Sequence, residues 1–453
     1  MPQDGTRPKF AALLLLVCAA GCVAQRDAQS ADLTVYIDTL KAIDSHAHPM
    51  AYVPSGAPAD TDFDALPLDG LPPFSLQWGL ASANPAFRDA ERALYGVITT
   101  DTAVASRKLV SDARQRLMAD KASGFPAWAL DRAHIDVMLA NRIAMGPGLT
   151  SPRFRWVAFD DALMLPLDTG LEGDVTPDRR ALYPLEAKLL QRYLHDLGVP
   201  ELPKTLAEYE TAVVQAELER QHSGGAVAIK FEAAYLRSLD FGPDDSVAAG
   251  AIYARYVGHG APPPADYRTL EDHLFRVITR NAGHLGMAVQ IHVTEGFGGF
   301  YAASGSSPAL LESVFNDSTL RGTNFVIVHG GWPRTEETLT LLAKPNVYTD
   351  ISMMDLIAEP AAVARTLRVW LNEWPEKVMF GTDAFEGGPS QGWEEVAWVA
   401  SRNARKELAG ALLGMVRDGE ITNERARVLA RLVLRDNALA AYHLRALMRD
   451  TTR

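Results

Sequence analysis

The chain carries two histidines one residue apart, in the stretch Ile43-Asp44-Ser45-His46-Ala47-His48-Pro49. This stretch follows a mostly apolar run, over residues 35–43, that is expected to end in a β-strand. Side chains at positions i and i+2 of a strand point the same way, so both imidazoles would leave the strand end on one side. His46 and His48 are therefore candidates to bind one metal ion. A lone His-x-His pair is a weak signal, and the residues that follow make it specific.

Four further apolar runs each end in a polar residue, and the ends are Lys230, His292, His329 and Asp383. Nearly continuous apolar runs are typical of parallel strands that are buried on both faces. In a (β/α)8 barrel, the catalytic residues lie at the carboxyl ends of the strands. The ordered set predicts an α/β fold of this TIM-barrel type, with long insertions in the loops that follow the strands and extra C-terminal helices.

The order His-x-His, Lys, His, His, Asp resembles that of the metal-dependent amidohydrolase superfamily. The short sequence motifs around these residues resemble those of its amidohydrolase-related branch, including the form fused to glutamine-synthetase-like proteins. The stretches that carry this resemblance are Asp44-Ser45-His46-Ala47-His48-Pro49, Ala233-Ala234-Tyr235-Leu236-Arg237 after Lys230, Gln290-Ile291-His292, His329-Gly330-Gly331, residues 346–352, Phe380-Gly381-Thr382-Asp383 and the closing segment 434–442. The resemblance spans about residues 33–447 and is weakest over 50–225.

The resemblance implies a hydrolase that cleaves an amide or ester bond with a metal-activated hydroxide. In its two-metal form, His46, His48 and Asp383 hold one divalent ion, which is expected to be zinc, and His292 and His329 hold the other. Lys230 would be carboxylated to N6-carboxylysine, because a carbamate can bridge two cations and an ammonium cannot. Asp383 would take a proton from the attacking water and deliver it to the leaving group.

Other interpretations of these residues stay open at this stage. Lys230 could pair with Glu232, which stands where the family usually has a small or aliphatic residue, and this departure weakens the bridging interpretation. Without the carbamate the site would hold one metal. The alternative function is then a mononuclear zinc decarboxylase or other C–C lyase that uses His46, His48, His292 and Asp383.

Two further residues are candidates for substrate binding. Arg237 could hold a substrate carboxylate with its planar fork, or form a salt bridge. Trp332 follows His329-Gly330-Gly331 and could line the pocket, or simply pack at the barrel rim. Asp350 ends another predicted strand, where it could orient a metal ligand or cap a turn.

Length and charge limit the class of protein. With 453 residues, of which 47% are hydrophobic, the chain exceeds the roughly 250 residues of a typical barrel. We therefore expect a single barrel domain over residues 33–450. Among its strands, residues 142–146 are expected to form the second, after a helix over 128–141.

The net charge of −12 argues against nucleic-acid binding and leaves a small molecule as the expected partner.

The N-terminus has the features of an export signal. Arg7 and Lys9 precede an apolar stretch over residues 10–20 that is too short to span a bilayer. Ala19-Ala20-Gly21-Cys22 is similar to a bacterial lipoprotein cleavage box, so residues 1–24 are expected to be a signal peptide and 25–32 a tether. The protein is expected to be periplasmic, and anchored to the membrane if Cys22 is lipidated. Cleavage after Ala24 is the alternative.

Overall fold

Eight parallel strands form the centre of the molecule. The structure, a computed structural model, describes residues 31–54, 56–67, 77–172, 177–293, 302–387 and 391–445. The strands are β1 (Ala42–Ala47), β2 (Ile135–Asn141), β3 (Phe154–Phe159), β4 (Ala226–Phe231), β5 (Ala288–His292), β6 (Phe325–Val328), β7 (Val347–Asp350) and β8 (Val378–Met379). Each strand pairs with the next one along the chain.

Hydrogen bonds between the two ends of the sheet close it into a barrel. The backbone N–H of Ser45 donates to the carbonyl of Phe380 at 3.0 Å, and the N–H of Asp383 donates to the carbonyl of His46 at 2.8 Å. The predicted (β/α)8 barrel is therefore confirmed. It also follows that the first and last ligand-bearing segments, which lie more than 330 residues apart in the sequence, are directly bonded to each other.

Helices surround the barrel and fill its long loops. They span residues 31–39, Pro85–Tyr95, Val104–Lys121, Phe125–Arg132, Asp161–Met164, Tyr183–Asp196, Leu206–Tyr209, Ala216–Ser223, Ser246–Tyr256, Pro264–His284, Glu312–Phe315, Thr335–Leu341, Met354–Ile357, Pro360–Glu373, Trp393–Arg417, Asn423–Arg431 and Asn437–Ala441. Two π-helical segments, Glu210–Gln215 and Leu432–Asp436, join neighbouring helices. In the described ranges, no helix is both long enough and apolar enough to cross a membrane.

The second strand differs from the prediction. It is β2, Ile135–Asn141, and residues 142–146 lie in the loop that follows it. The predicted helix over 128–141 ends at Arg132. The run that includes Val137, Met138 and Leu139 is apolar on both sides because the barrel interior and the surrounding helices both cover it, and periodicity does not separate such a strand from a buried helix.

The bottom of the barrel is closed by the C-terminal segment. Side chains from the early parts of the strands, including Ile43, Val227 and Val326, form one buried cluster with Ala438 and Tyr442. This segment therefore packs at the amino ends of the strands and leaves the carboxyl ends open for chemistry. The predicted signal peptide with Cys22 lies outside the described residues and stays a prediction. So does nearly all of the tether, whose last two residues, 31 and 32, begin the first helix.

Candidate metal centre

The six predicted ligand residues meet at the carboxyl ends of the strands. Nε2 of His46 lies 3.1 Å from Oδ1 of Asp383, and Nε2 of His48 lies 3.6 Å from the same oxygen. Nε2 of His329 lies 3.2 Å from Nδ1 of His292. Nζ of Lys230 lies 3.4 Å from Nε2 of His46. All six residues are buried.

A glutamine fixes which nitrogen of His46 can act as a ligand. The side-chain amide of Gln290 donates to the carbonyl of Ser45 at 2.7 Å and lies 2.8 Å from the hydroxyl of Tyr442. Its oxygen Oε1 lies 2.9 Å from Nδ1 of His46 and must accept from it. The proton of His46 is therefore on Nδ1, and the lone pair on Nε2 faces the centre.

A serine has the same effect on His329. The hydroxyl of Ser352 donates to Oδ1 of Asp350 at 2.7 Å, so its oxygen is left to accept from Nδ1 of His329 at 2.9 Å. The lone pair of His329 is then on Nε2, which faces His292. Asp350 also accepts the backbone N–H of His329 at 2.9 Å and the hydroxyl of Ser45 at 3.2 Å. Asp350 therefore positions a candidate ligand rather than only capping a turn.

A carboxylate from a loop favours the same arrangement in His48, with Nε2 facing the centre. Its Nδ1 lies 3.1 Å from Oδ2 of Asp64, in the long loop after β1, while its Nε2 faces Asp383. A carboxylate behind a histidine favours a proton on the nitrogen that it faces. His46 and His329 thus direct an unprotonated nitrogen inward, and the carboxylate of Asp64 favours the same tautomer of His48, although the geometry of that contact is not that of a hydrogen bond.

Two of the candidate ligands lie on unusual backbone. His329 and Asp383 have φ angles of +62° and +51°, in the left-handed region that non-glycine residues seldom adopt. The turn at Asp383 is supported by Asp44, which accepts the backbone N–H of Thr382 at 3.0 Å and its hydroxyl at 2.5 Å. Strained backbone held in this way is common at functional sites.

Burial keeps three histidines of the centre uncharged. Desolvation lowers the pKa of His46 and His292 well below the usual value, and lowers that of His329 to about 3. A neutral imidazole has a lone pair available for a cation. Three donors, from His46, His48 and Asp383, lie within 4.8 Å of one another. The residues present therefore fit a divalent metal ion, and nitrogen and carboxylate donors are those that zinc accepts.

Lys230 and Glu232 both lie at the end of β4. Nζ of Lys230 is 3.9 Å from Oε1 of Glu232, within ion-pair range but beyond a hydrogen bond. Nζ also contacts His46, so the amine lies beside the candidate ligands. This position is compatible with the bridging carbamate and with the ion pair, and carboxylation of Lys230 stays a prediction.

The two candidate substrate-binding residues have contacts within the protein. The guanidinium of Arg237 donates to Glu271 and Asp272, at 2.7 Å in each case, so its fork is already occupied by carboxylates. It also lines a cavity of about 310 Å³ beside Tyr235, whose ring centroid lies 4.3 Å from that of His292. Trp332 is half-buried and packs against the core. The distances assign neither residue to a substrate.

Several residues of this centre were not identified from the sequence. Gln290 and Ser352 stand in the quoted stretches, and the spacing Gln290-x-His292 on one strand face was a usable signal for the former. The contacts of Gln290 with His46 and of Ser352 with His329 join residues 244 and 23 positions apart. Asp64 lies in an irregular loop, where no periodic pattern marks it.

A family profile described as "Amidohydrolase" matches residues 200–444, which is more than half of the chain. The chain belongs to the amidohydrolase family. Lys230, His292, His329 and Asp383 lie within the matched segment of this amidohydrolase, and His46 and His48 lie before it. Its predicted family is therefore confirmed.

The amidohydrolase is also similar to one curated protein and to several solved structures. Protein fluG of Emericella nidulans is 24% identical over 281 residues, which cover 57% of this chain but only 31% of the relative. A protein described as a metal-dependent hydrolase from Lactobacillus casei has a TM-score of 0.57 and 15% identity, with coverage of 91% of this chain and 98% of that one. Uronate isomerase from Thermotoga maritima has a TM-score of 0.58 and 13% identity, covering 79% and 78% respectively. At these identities the structures support the fold alone.

Proposed function

We propose that the protein is a metal-dependent hydrolase that cleaves an amide or ester bond of a small molecule. One observation carries the proposal: inward-facing nitrogens of His46 and His48 converge on one carboxylate oxygen of Asp383, and Nε2 of His329 faces Nδ1 of His292 beside them. His46, His48 and Asp383 would hold one divalent ion, and His292 and His329 a second. A bound divalent ion supplies Lewis-acid chemistry, in which it polarises a carbonyl and acidifies a water.

The residues of the chain supply the proton transfer and the positioning. Asp383 lies at the edge of the centre, with 9% of its side chain exposed, and its two oxygens face different histidines, His46 and His329. An ionised carboxylate in this place can accept a proton from an attacking water and return it to the departing amine or alcohol. Gln290, Ser352 and Asp350 keep the histidines in the tautomers that this chemistry needs.

The proposed two-ion arrangement depends on Lys230. In the two-metal form a carbamate on Lys230 would bridge the sites, and in the one-metal form the lysine would pair with Glu232. We expect two zinc ions per chain in the natural protein, and one or none in the Lys230→Ala variant. The measurement is elemental analysis of protein purified without chelator or histidine tag. The exposed Lys406→Ala is the matched control and should keep both ions.

The same preparations test the reaction class. A panel of amides and esters is screened for bond cleavage, and a parallel panel of carboxylates is screened for release of CO₂. Cleavage of an amide or ester that disappears on metal removal supports the proposal. One ion in both the natural protein and Lys230→Ala, together with CO₂ release, would instead establish the mononuclear C–C lyase.

A further inference from the structure

A second group of polar side chains lies on the Nδ1 side of the His48 ring, away from Asp383. It contains Asp64, from the loop after β1, and Glu232, from the end of β4. One atom each from His48, Asp64 and Glu232 lie within 4.8 Å of one another. The group adjoins the candidate metal centre because Oε1 of Glu232 is 3.9 Å from Nζ of Lys230.

Glu232 is a buried carboxyl group with an unused acceptor. The residue is 4% exposed, and its Oε2 has no hydrogen-bond partner among the described residues. Its backbone N–H donates to Oδ2 of Asp161 at 2.7 Å, which fixes the position of the strand end. A buried carboxyl oxygen without a hydrogen-bond donor costs free energy of folding. We therefore expect a bound group to donate to this oxygen.

Further acidic groups lie near the carboxyl group of Glu232. The carboxyl groups of Asp64, Asp161 and Glu186 all lie close enough to Glu232 to act on it electrostatically, and the ammonium of Lys230 acts in the opposite sense. Glu186 is itself buried, and neither of its carboxyl oxygens has a partner in the described part of the chain. Such a group of acids attracts a cation.

The proton on His48 decides which kind of cation fits. If Nε2 of His48 serves the metal centre, Nδ1 carries the proton and faces Asp64, so it is not a ligand on that side. A metal ion would then have only the carboxylates of Asp64 and Glu232 as close ligands. An ammonium group has three N–H donors and is satisfied by carboxylate oxygens.

We propose that Glu232 and Asp64 bind a primary ammonium group of the substrate. Asp64 is reachable, with 17% of its side chain exposed, and it lies on one side of His48 while Asp383 contacts the other ring nitrogen. The inference rests on the proposed function and narrows its substrate class to amides or esters that carry a free amine. The amine would lie within a few bonds of the scissile carbonyl, because His48 contacts both Asp64 and Asp383.

The test measures binding separately from turnover. Metal-loaded protein is titrated by calorimetry with glycinamide, which carries an ammonium group, and with N-acetylglycinamide, which does not. We expect glycinamide to bind at least about tenfold more tightly, which corresponds to about 1.4 kcal/mol. Glu232→Gln and Asp64→Asn should each remove this preference. Asp64→Asn keeps the test informative if the buried variant fails to fold.

Glu407→Gln is the matched control, since Glu407 is also buried and its oxygens also have no hydrogen-bond partner among the described residues. It should keep the preference for glycinamide. Equal affinity of the natural protein for the two compounds would overturn the proposal. So would the loss of one metal ion per chain in Glu232→Gln, because that would make Glu232 a metal ligand. Preferential binding of glycinamide without hydrolysis of any amide or ester would support the ammonium site while contradicting the proposed reaction.

Discussion

At the scale of single residues, the neighbours of the candidate ligands set the chemistry of the centre. Gln290 has the clearest effect, because its amide is fixed by Ser45 and Tyr442 and leaves only its oxygen for His46. We expect Gln290→Leu to lower the affinity for zinc by about 10- to 100-fold, since the imidazole of His46 would lose the partner that fixes its proton. Competition with a chromogenic chelator measures this change.

The control for this variant is Gln215→Leu, which removes an exposed amide from a helix outside the barrel. It should bind zinc as the natural protein does. An unchanged zinc affinity in Gln290→Leu would show that His46 is not a ligand or that Gln290 does not determine its tautomer.

At the scale of elements, the turn after β6 places His329. Gly330 has a φ of +61°, and a β-carbon there would lie 2.4 Å from Sδ of Met354 and 2.8 Å from the ring of Trp370. We expect Gly330→Ala to lower the free energy of unfolding by about 1–3 kcal/mol and to weaken zinc binding, because the turn must move to make room. Thermal unfolding and the chelator assay measure the two effects.

Gly322→Ala is the matched control, at the other end of the same strand. A β-carbon at Gly322 meets nothing within 4 Å among the described residues, and the change should alter stability by less than about 0.5 kcal/mol. If Gly330→Ala is as stable as Gly322→Ala and binds zinc normally, the turn does not hold His329 in the way described.

Strand ends were predictable from the sequence and loop contacts were not. Lys230, His292 and His329 each follow or end an apolar run, and parallel strands must bring such ends together. The second strand was misplaced because Ile135–Asn141 is buried on both faces. Asp64 gave no signal, since its meeting with His48 depends on how a long loop returns over the barrel. Family resemblance supplied the ligand roles, and tertiary contacts supplied the groups that orient the ligands.

At the scale of the whole molecule, buried carboxyl groups make stability depend on pH. Glu407, on the helix Trp393–Arg417, is a case away from the candidate centre, and burial, followed by the charge of Glu359, raises its pKa to about 8. In the unfolded chain the pKa is near the ordinary 4.5. Between these values the folded protein holds a proton that the unfolded chain has released. The contribution of Glu407 to the free energy of unfolding therefore falls as the pH rises from about 4.5 to about 8.

Glu407→Gln removes this loss, because the amide resembles the protonated carboxyl and does not ionise. We expect the variant to match the natural protein at about pH 4.5 and to exceed it at about pH 8, by up to about 4 kcal/mol. Thermal unfolding at both pH values measures the difference, with the exposed Glu201→Gln as the control that should show none. A variant that is no more stable than the natural protein at about pH 8 would mean that Glu407 ionises freely in the folded chain, through water that reaches the helix packing around it.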